Sequence, residues 1–86
     1  MKLVWDESAW DDYVWWQTQD RRVLRRINAL VKDIEGNGDA GIGKPGPLKH
    51  GSSGYWSRRI TAEHRLVYKY GGDEIRIAAC RYHYED

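Results

Sequence analysis

YWSRRITAEHRLVYKYGGDEIRIAAC, residues 55–80, contains three runs, YWSRRIT (55–61), HRLVYKY (64–70) and EIRIAAC (74–80), that alternate apolar with polar or run apolar. A period of two sends successive side chains to opposite faces of an extended chain, so each run reads as a β-strand. Gly71 and Gly72, followed by Asp73, give the backbone freedom that a tight hairpin between the last two strands needs. Three sequential antiparallel strands therefore anchor the fold.

Upstream, KLVW (2–5) reads as a short strand and Asp6 as a helix N-cap whose carboxylate accepts first-turn amides. In the helix that follows, Trp10, Tyr13, Val14 and, loosely, Gln17 form the apolar stripe. Asp20 caps a second helix with a clearer stripe of Val23, Leu24, Ile27, Leu30, Val31 and Ile34, stopping at Gly36. So short a connection makes the two helices an antiparallel hairpin. Residues 36–54 hold seven of the nine glycines and both prolines and show no period; long loops of this kind in a small domain are usually functional. The order gives an α+β fold, with the helix hairpin packed on one face of a mainly antiparallel, twisted sheet. The other face is expected to be open and to display Trp, Tyr and Arg.

Eighty-six residues suffice for one domain, taken as 1–86. Five Trp and six Tyr without a single Phe favour interfaces, since both side chains join an apolar ring to a polar group. One cysteine excludes an internal disulfide framework, and neither a leader nor a membrane-length apolar run is evident, so the chain reads as cytoplasmic, with no membrane partner. Charge is unevenly placed. Residues 1–20 set one lysine against five acids, whereas residues 44–84 set eight lysines and arginines against three acids. A basic half interleaved with aromatics is the pattern of an RNA or single-strand surface, although ordinary solvated strand charges give the same count.

Gly38-Asp39-Ala40-Gly41-Ile42-Gly43-Lys44 satisfies the G-x-x-x-x-G-K pattern of a phosphate-binding loop. Pro45 stands where that motif needs Ser or Thr, and a helix precedes it instead of a strand, so the nucleotide reading fails. Cys80, His83, His50 and His64 lack the paired spacing of a metal site, and no cofactor is expected. What remains is a basic constellation: Lys49, His50, Arg58, Arg59, Glu63, His64, Arg65, Arg81, Tyr82, His83 and Tyr84. Metal-free RNA cleavage needs a base for the 2′-hydroxyl, an acid for the departing 5′-oxygen, and cations for the charge that gathers on phosphorus. His83 suits the acid and Arg65 the phosphate. A metal-free nuclease and a generic RNA binder both fit this set.

KPGPLKH (44–50), WSRRITAEHRLVY (56–68) and AACRYHY (78–84), with MKLVW (1–5), DDY (11–13) and RRINALVKDI (25–34), resemble the YoeB toxins of bacterial type II toxin–antitoxin modules, within the RelE superfamily. The resemblance spans residues 1–84. It implies a microbial-RNase-like fold and a ribosome-dependent endoribonuclease that cuts mRNA in the A site. It also implies His83 as general acid, Tyr84 completing the site, and Arg65 stabilising the phosphorane. Lys49, Arg59 and Glu63 would bind or orient the phosphate and its neighbours, and His50, Arg58 and Arg81 join the expected RNA-binding set. The implied partners are a YefM-like antitoxin and the 70S ribosome with its mRNA; monomer and homodimer both stay open. One position departs from the family. The loop pattern K-P-E-P-L, whose glutamate is generally taken as the base, here reads Lys44-Pro45-Gly46-Pro47-Leu48. Glu63, the only acid in the constellation, is the natural substitute. The competing reading is a weakly catalytic protein that blocks translation by occupying the A site.

Overall fold

The computed structural model describes residues 1–48 and 54–82. The order is β1 (Lys2–Trp5), α1 (Glu7–Gln19), α2 (Arg21–Asn37), β2 (Gly46–Pro47), β3 (Tyr55–Arg59), β4 (Arg65–Gly71) and β5 (Glu74–Ala79). The strands form one sheet ordered β1-β5-β4-β3-β2. β1 runs parallel to β5, in register from Lys2 opposite Glu74 to Trp5 opposite Ile77, and every other pairing is antiparallel. Gly72, at φ 58°, makes the β4–β5 hairpin, as the glycine pair implied.

α2 follows its sequence pattern closely. Asp20 accepts the amides of Arg22 (2.9 Å) and Val23 (3.3 Å), and Val23, Ile27, Leu30, Val31 and Ile34 are buried. The helix runs through Gly36 and ends at Asn37, with Gly38 as its cap. A Cβ at Gly38 would lie 2.2 Å from the Tyr70 ring, so close packing against β4 keeps that position bare.

α1 departs from expectation in two ways. Its inward row is Ala9, Tyr13 and Trp16, at i, i+4 and i+7, while Trp10 and Val14 are 47% and 45% exposed. Three indoles, a phenol and a valine within seven residues leave several possible stripes, and the close approach of the chain just past β5 selects the smallest residue: Cys80 Sγ lies 3.5 Å from the Ala9 carbonyl. Asp6 occupies the N-cap position but its carboxylate accepts no first-turn amide. Its carboxylate takes Arg76 Nη1 at 3.0 Å, tying the start of α1 to β5.

The tryptophans also lie on the helix side. Trp16 is buried, Trp5, Trp15 and Trp56 pack against the core, and Trp10 stacks on Tyr13 beside Trp5. In a core without Phe, the indoles fill the volume between the helices and the sheet, so the opposite face does not display them. Trp16 Nε1 donates to the Cys80 carbonyl (3.0 Å), which satisfies its polar atom in the interior. Burial, with Asp12 adding to it, pushes the Cys80 thiol up to about 12, so it stays protonated and is a poor metal ligand.

The glycine-rich loop is held by Arg58. Its Nη atoms donate to Asp33 and to the carbonyls of Asn37 (2.8 Å), Gly38 (3.3 Å), Ala40 (2.6 Å) and Ile42 (3.0 Å), and its Nε donates to Tyr68 Oη (3.0 Å). A phosphate-binding loop points amides at an anion, whereas this one points carbonyls at a cation. Its sequence likeness to that motif thus has a structural origin. Asp33 also accepts the Ile42 amide (3.1 Å), and Gly41, at φ 109°, leaves room for that carboxylate, since a Cβ would sit 2.0 Å from Asp33 Oδ2. Hydrogen bonding by Arg58, then by the Ile42 amide, holds the Asp33 carboxyl below its ordinary range. Anchored in this way, the loop supplies β2, too short at two residues to show any period in the sequence. Pro47 offers no amide, which an edge strand tolerates.

Candidate active site

Alternation along the strands separates two sets of side chains. Arg58, Leu66 and Tyr68 point to the helix side, where Leu66 and Tyr68 join the core. Ser57, Arg59, Arg65, Val67 and Lys69 therefore point to the other face. The register lines up two rows there. Gly46 lies opposite Ser57, Ser57 opposite Val67, and Val67 opposite Ala79; in the next row Arg59 lies directly opposite Arg65.

The arginine pair is the electrostatic centre of this face. Like charges directly opposite on antiparallel strands are destabilising, so the arrangement favours an anion between or over them. Arg59 is exposed and Arg65 half-buried. Arg65 Nε is buried and has no hydrogen-bond partner among the described residues. A forked guanidinium with an unanswered donor, beside a second cation, is suited to a phosphate.

Gly46 faces the same side. Its φ is not in the left-handed region, and among the described residues a Cβ there would meet nothing within 4 Å. The described residues therefore leave room for a side chain at this position, and none is present. Glu63 stands in the β3–β4 connection, mostly exposed, with its amide bonded to Thr61 Oγ1 (3.1 Å) and Oε1 3.6 Å from His64 Nε2. It lies two residues before Arg65.

The chain returns to this site after β5. The Arg65 amide donates to the Tyr82 carbonyl (3.1 Å), and the Tyr82 amide donates to His64 Nδ1 (2.7 Å). Tyr82 is thus bound to the start of β4 and to the residue before it, and residue 83 follows directly in sequence.

Two of the expected RNA-binding cations are engaged elsewhere. Arg58 is 0% exposed and its guanidinium serves the loop, as described, so it offers no charge to a ligand. Arg81 lies over Trp15, its Cζ 3.6 Å from the ring centroid, with Asp12 at 3.9 Å, which directs it at α1. Burial raises the Asp12 carboxyl above its ordinary range even though Arg81 opposes this. In a basic, alternating sequence, neither contact leaves a mark that distinguishes it from a solvated arginine. Of the expected site residues, Arg59 and Arg65 lie opposite each other on the face that Gly46 also borders, Glu63 stands in the β3–β4 connection with its carboxylate toward His64, and Lys49, His50, His83 and Tyr84 lie outside the described residues. His64 enters through its ring nitrogen; in the sequence only its place between Glu63 and Arg65 marks it.

A family profile described as "YoeB-like toxin of bacterial type II toxin-antitoxin system" matches residues 5–84. The toxin YoeB of Escherichia coli K12 is 58% identical over 84 residues, which is 98% of this chain and 100% of that one. Among solved structures, a YoeB/ParE toxin from Agrobacterium tumefaciens superposes with TM-score 0.94 at 51% identity, covering 98% of this chain and 100% of the other. The toxin in a heterotetrameric YoeB-YefM toxin-antitoxin complex from Staphylococcus aureus superposes with TM-score 0.90 at 45% identity, over 98% of both chains.

Proposed function

This chain belongs to the YoeB-like toxins of bacterial type II toxin–antitoxin systems, and from that membership we propose that it is a metal-independent endoribonuclease that cuts mRNA in the ribosomal A site. The observation that carries the reading is the Arg59–Arg65 opposition on the helix-free face, with Arg65 Nε unanswered among the described residues. In the reaction, the ribose 2′-oxygen attacks the adjacent phosphorus as the bond to the 5′-oxygen breaks. The charge that builds on the non-bridging oxygens falls to Arg65, with Arg59 binding the flanking phosphate. His83 protonates the leaving 5′-oxygen, and Tyr84, Lys49 and His50 complete the contacts. No cofactor takes part.

The base is the open question in this chain, because Gly46 removes the family's carboxylate. Glu63, two residues before Arg65 in the β3–β4 connection, takes that role in this proposal. The same glycine favours a second reading, a feeble nuclease that inhibits translation by occupancy. Gly46→Glu separates the two, since the backbone at position 46 and the space that the described residues leave there admit a side chain. Measured by single turnover on programmed ribosomes, Gly46→Glu should cleave faster than wild type and should rescue a slowed Glu63→Gln. Cleavage by Glu63→Gln at the wild-type rate would remove Glu63 as the base.

Arg65→Ala should lower the single-turnover rate about 100- to 1,000-fold with little change in ribosome affinity, because the charge it meets develops only in the transition state. Weakened binding with an unchanged rate would make Arg65 an anchor instead. By analogy with the Staphylococcus aureus complex, an antitoxin of the YefM kind is the expected inhibitor, its acidic disordered segment folding onto the basic face.

A further inference from the structure

Tyr82 has φ 61°, one of two non-glycine residues in the left-handed region among those described. A bulky side chain adopts this conformation only where its surroundings enforce it. Three contacts do so. The Tyr82 amide donates to His64 Nδ1 (2.7 Å), its carbonyl accepts the Arg65 amide (3.1 Å), and its hydroxyl accepts Arg81 Nη2 (3.1 Å). Two consecutive residues, His64 by its ring and Arg65 by its backbone, grip both sides of one strained residue. The next residue in the chain is His83.

We propose that His64 is a positioning residue that, by accepting the Tyr82 amide on Nδ1, fixes the turn from which His83 departs and so sets the direction of the general acid. This rests on the nuclease reading above. The ring is well placed to act as a fixed point. It is only 9% exposed, stands edge-on to Trp16 of α1 at 4.8 Å, and contacts the Tyr82 ring at 5.4 Å. Its own backbone is bound as well: its amide donates to Thr61 Oγ1 (3.1 Å), and its carbonyl accepts the amides of Ile60 (2.9 Å) and Thr61 (3.2 Å).

The chemistry of the ring follows from the contact. An imidazole nitrogen that accepts a hydrogen bond carries no proton, so the ring proton belongs on Nε2. Glu63 Oε1 lies 3.6 Å from that nitrogen and favours this tautomer electrostatically. The turn at 63–65 thereby links the proposed base, the support for the acid-bearing tail and the phosphate-binding arginine in three successive residues. Displacing a catalytic group by about 1 Å can cost on the order of 100-fold in rate, so losing the acceptor should register in the chemical step and not in binding.

Two variants test this. His64→Phe keeps a ring against Trp16 and removes the acceptor; His64→Asn places an amide oxygen near the Nδ1 position. His64→Phe should cleave about 100-fold more slowly than wild type in single turnover, with unchanged ribosome affinity, and His64→Asn should recover most of the loss. In isotope-labelled wild type, NMR should show scalar coupling across the hydrogen bond between the Tyr82 amide nitrogen and His64 Nδ1. A folded His64→Phe that cuts at the wild-type rate, or absence of that coupling, would overturn the role of His64. If wild type itself cuts nothing, the nuclease reading fails and this role fails with it, whereas an active wild type with an indifferent His64→Phe refutes the positioning role alone.

Discussion

His83→Ala should abolish measurable cleavage of ribosome-bound mRNA, a loss of about 100- to 10,000-fold, while leaving ribosome binding nearly intact. The substitution removes the proton donor to the departing 5′-oxygen but only a small part of the contact surface. An unassisted 5′-alkoxide is a poor leaving group, so the effect falls on the chemical step. It carries a pH signature too. A general acid must be protonated to act, so the wild-type rate should decline as pH rises through the histidine's titration, ordinarily near ~6.5. That basic limb should vanish from whatever activity His83→Ala retains. Unchanged cleavage by the variant would move the acid elsewhere, and an unchanged basic limb would do the same.

Arg58→Met should destabilise the fold by about 3–5 kcal/mol, the range expected when one partner of a buried ionic network is removed. The side chain is fully buried, and its loss takes a donor from the carbonyls of Asn37, Gly38, Ala40 and Ile42 and the cation from the Asp33 carboxylate. Methionine replaces the volume but none of the five donors of a guanidinium. The unfolding midpoint in denaturant should fall with little change in slope. The Asp33 interaction adds a pH arm whose sign is fixed by its lowered pKa. A carboxyl lowered by folding stabilises the protein above the ordinary carboxylate range, and that contribution is lost as pH drops through the lowered value. Asp33→Asn should therefore flatten the acid side of the stability profile. Wild-type stability in Arg58→Met would mean that the guanidinium does not hold the loop.

The contrast between these two residues shows how far the sequence can be read. The three strands within 55–80 are legible because alternation is local, and the α2 stripe is legible because its apolar residues are few and periodic. The phase of α1 is not, since a helix crowded with Trp and Tyr offers several equally apolar faces and the choice depends on how closely the chain just past β5 approaches Ala9. Arg58 and Arg59 are neighbours of identical type. Which one is buried depends on Asp33, 25 residues away, and on backbone carbonyls that carry no sequence signature. Register brings Arg59 and Arg65 face to face, and register becomes certain only once both strands and their hairpin are in place. The support of Tyr82 by His64 is a side-chain-to-backbone bond, which leaves no pattern in the sequence. The vacancy at Gly46 shows in the sequence against the family motif, but its freedom to accept a side chain is a property of the fold.

Primer extension on mRNA extracted from a translation reaction, with and without this protein, tests the nuclease reading most directly. Once the RNA has been freed from ribosomes, reverse transcription stops only where the strand is broken. The expected result is a set of discrete new 5′-ends within codons that had occupied the A site, dependent on ribosomes and absent with His83→Ala. Intact mRNA from a reaction in which translation has nevertheless stopped would contradict it and identify the protein as an A-site blocker that does not cut.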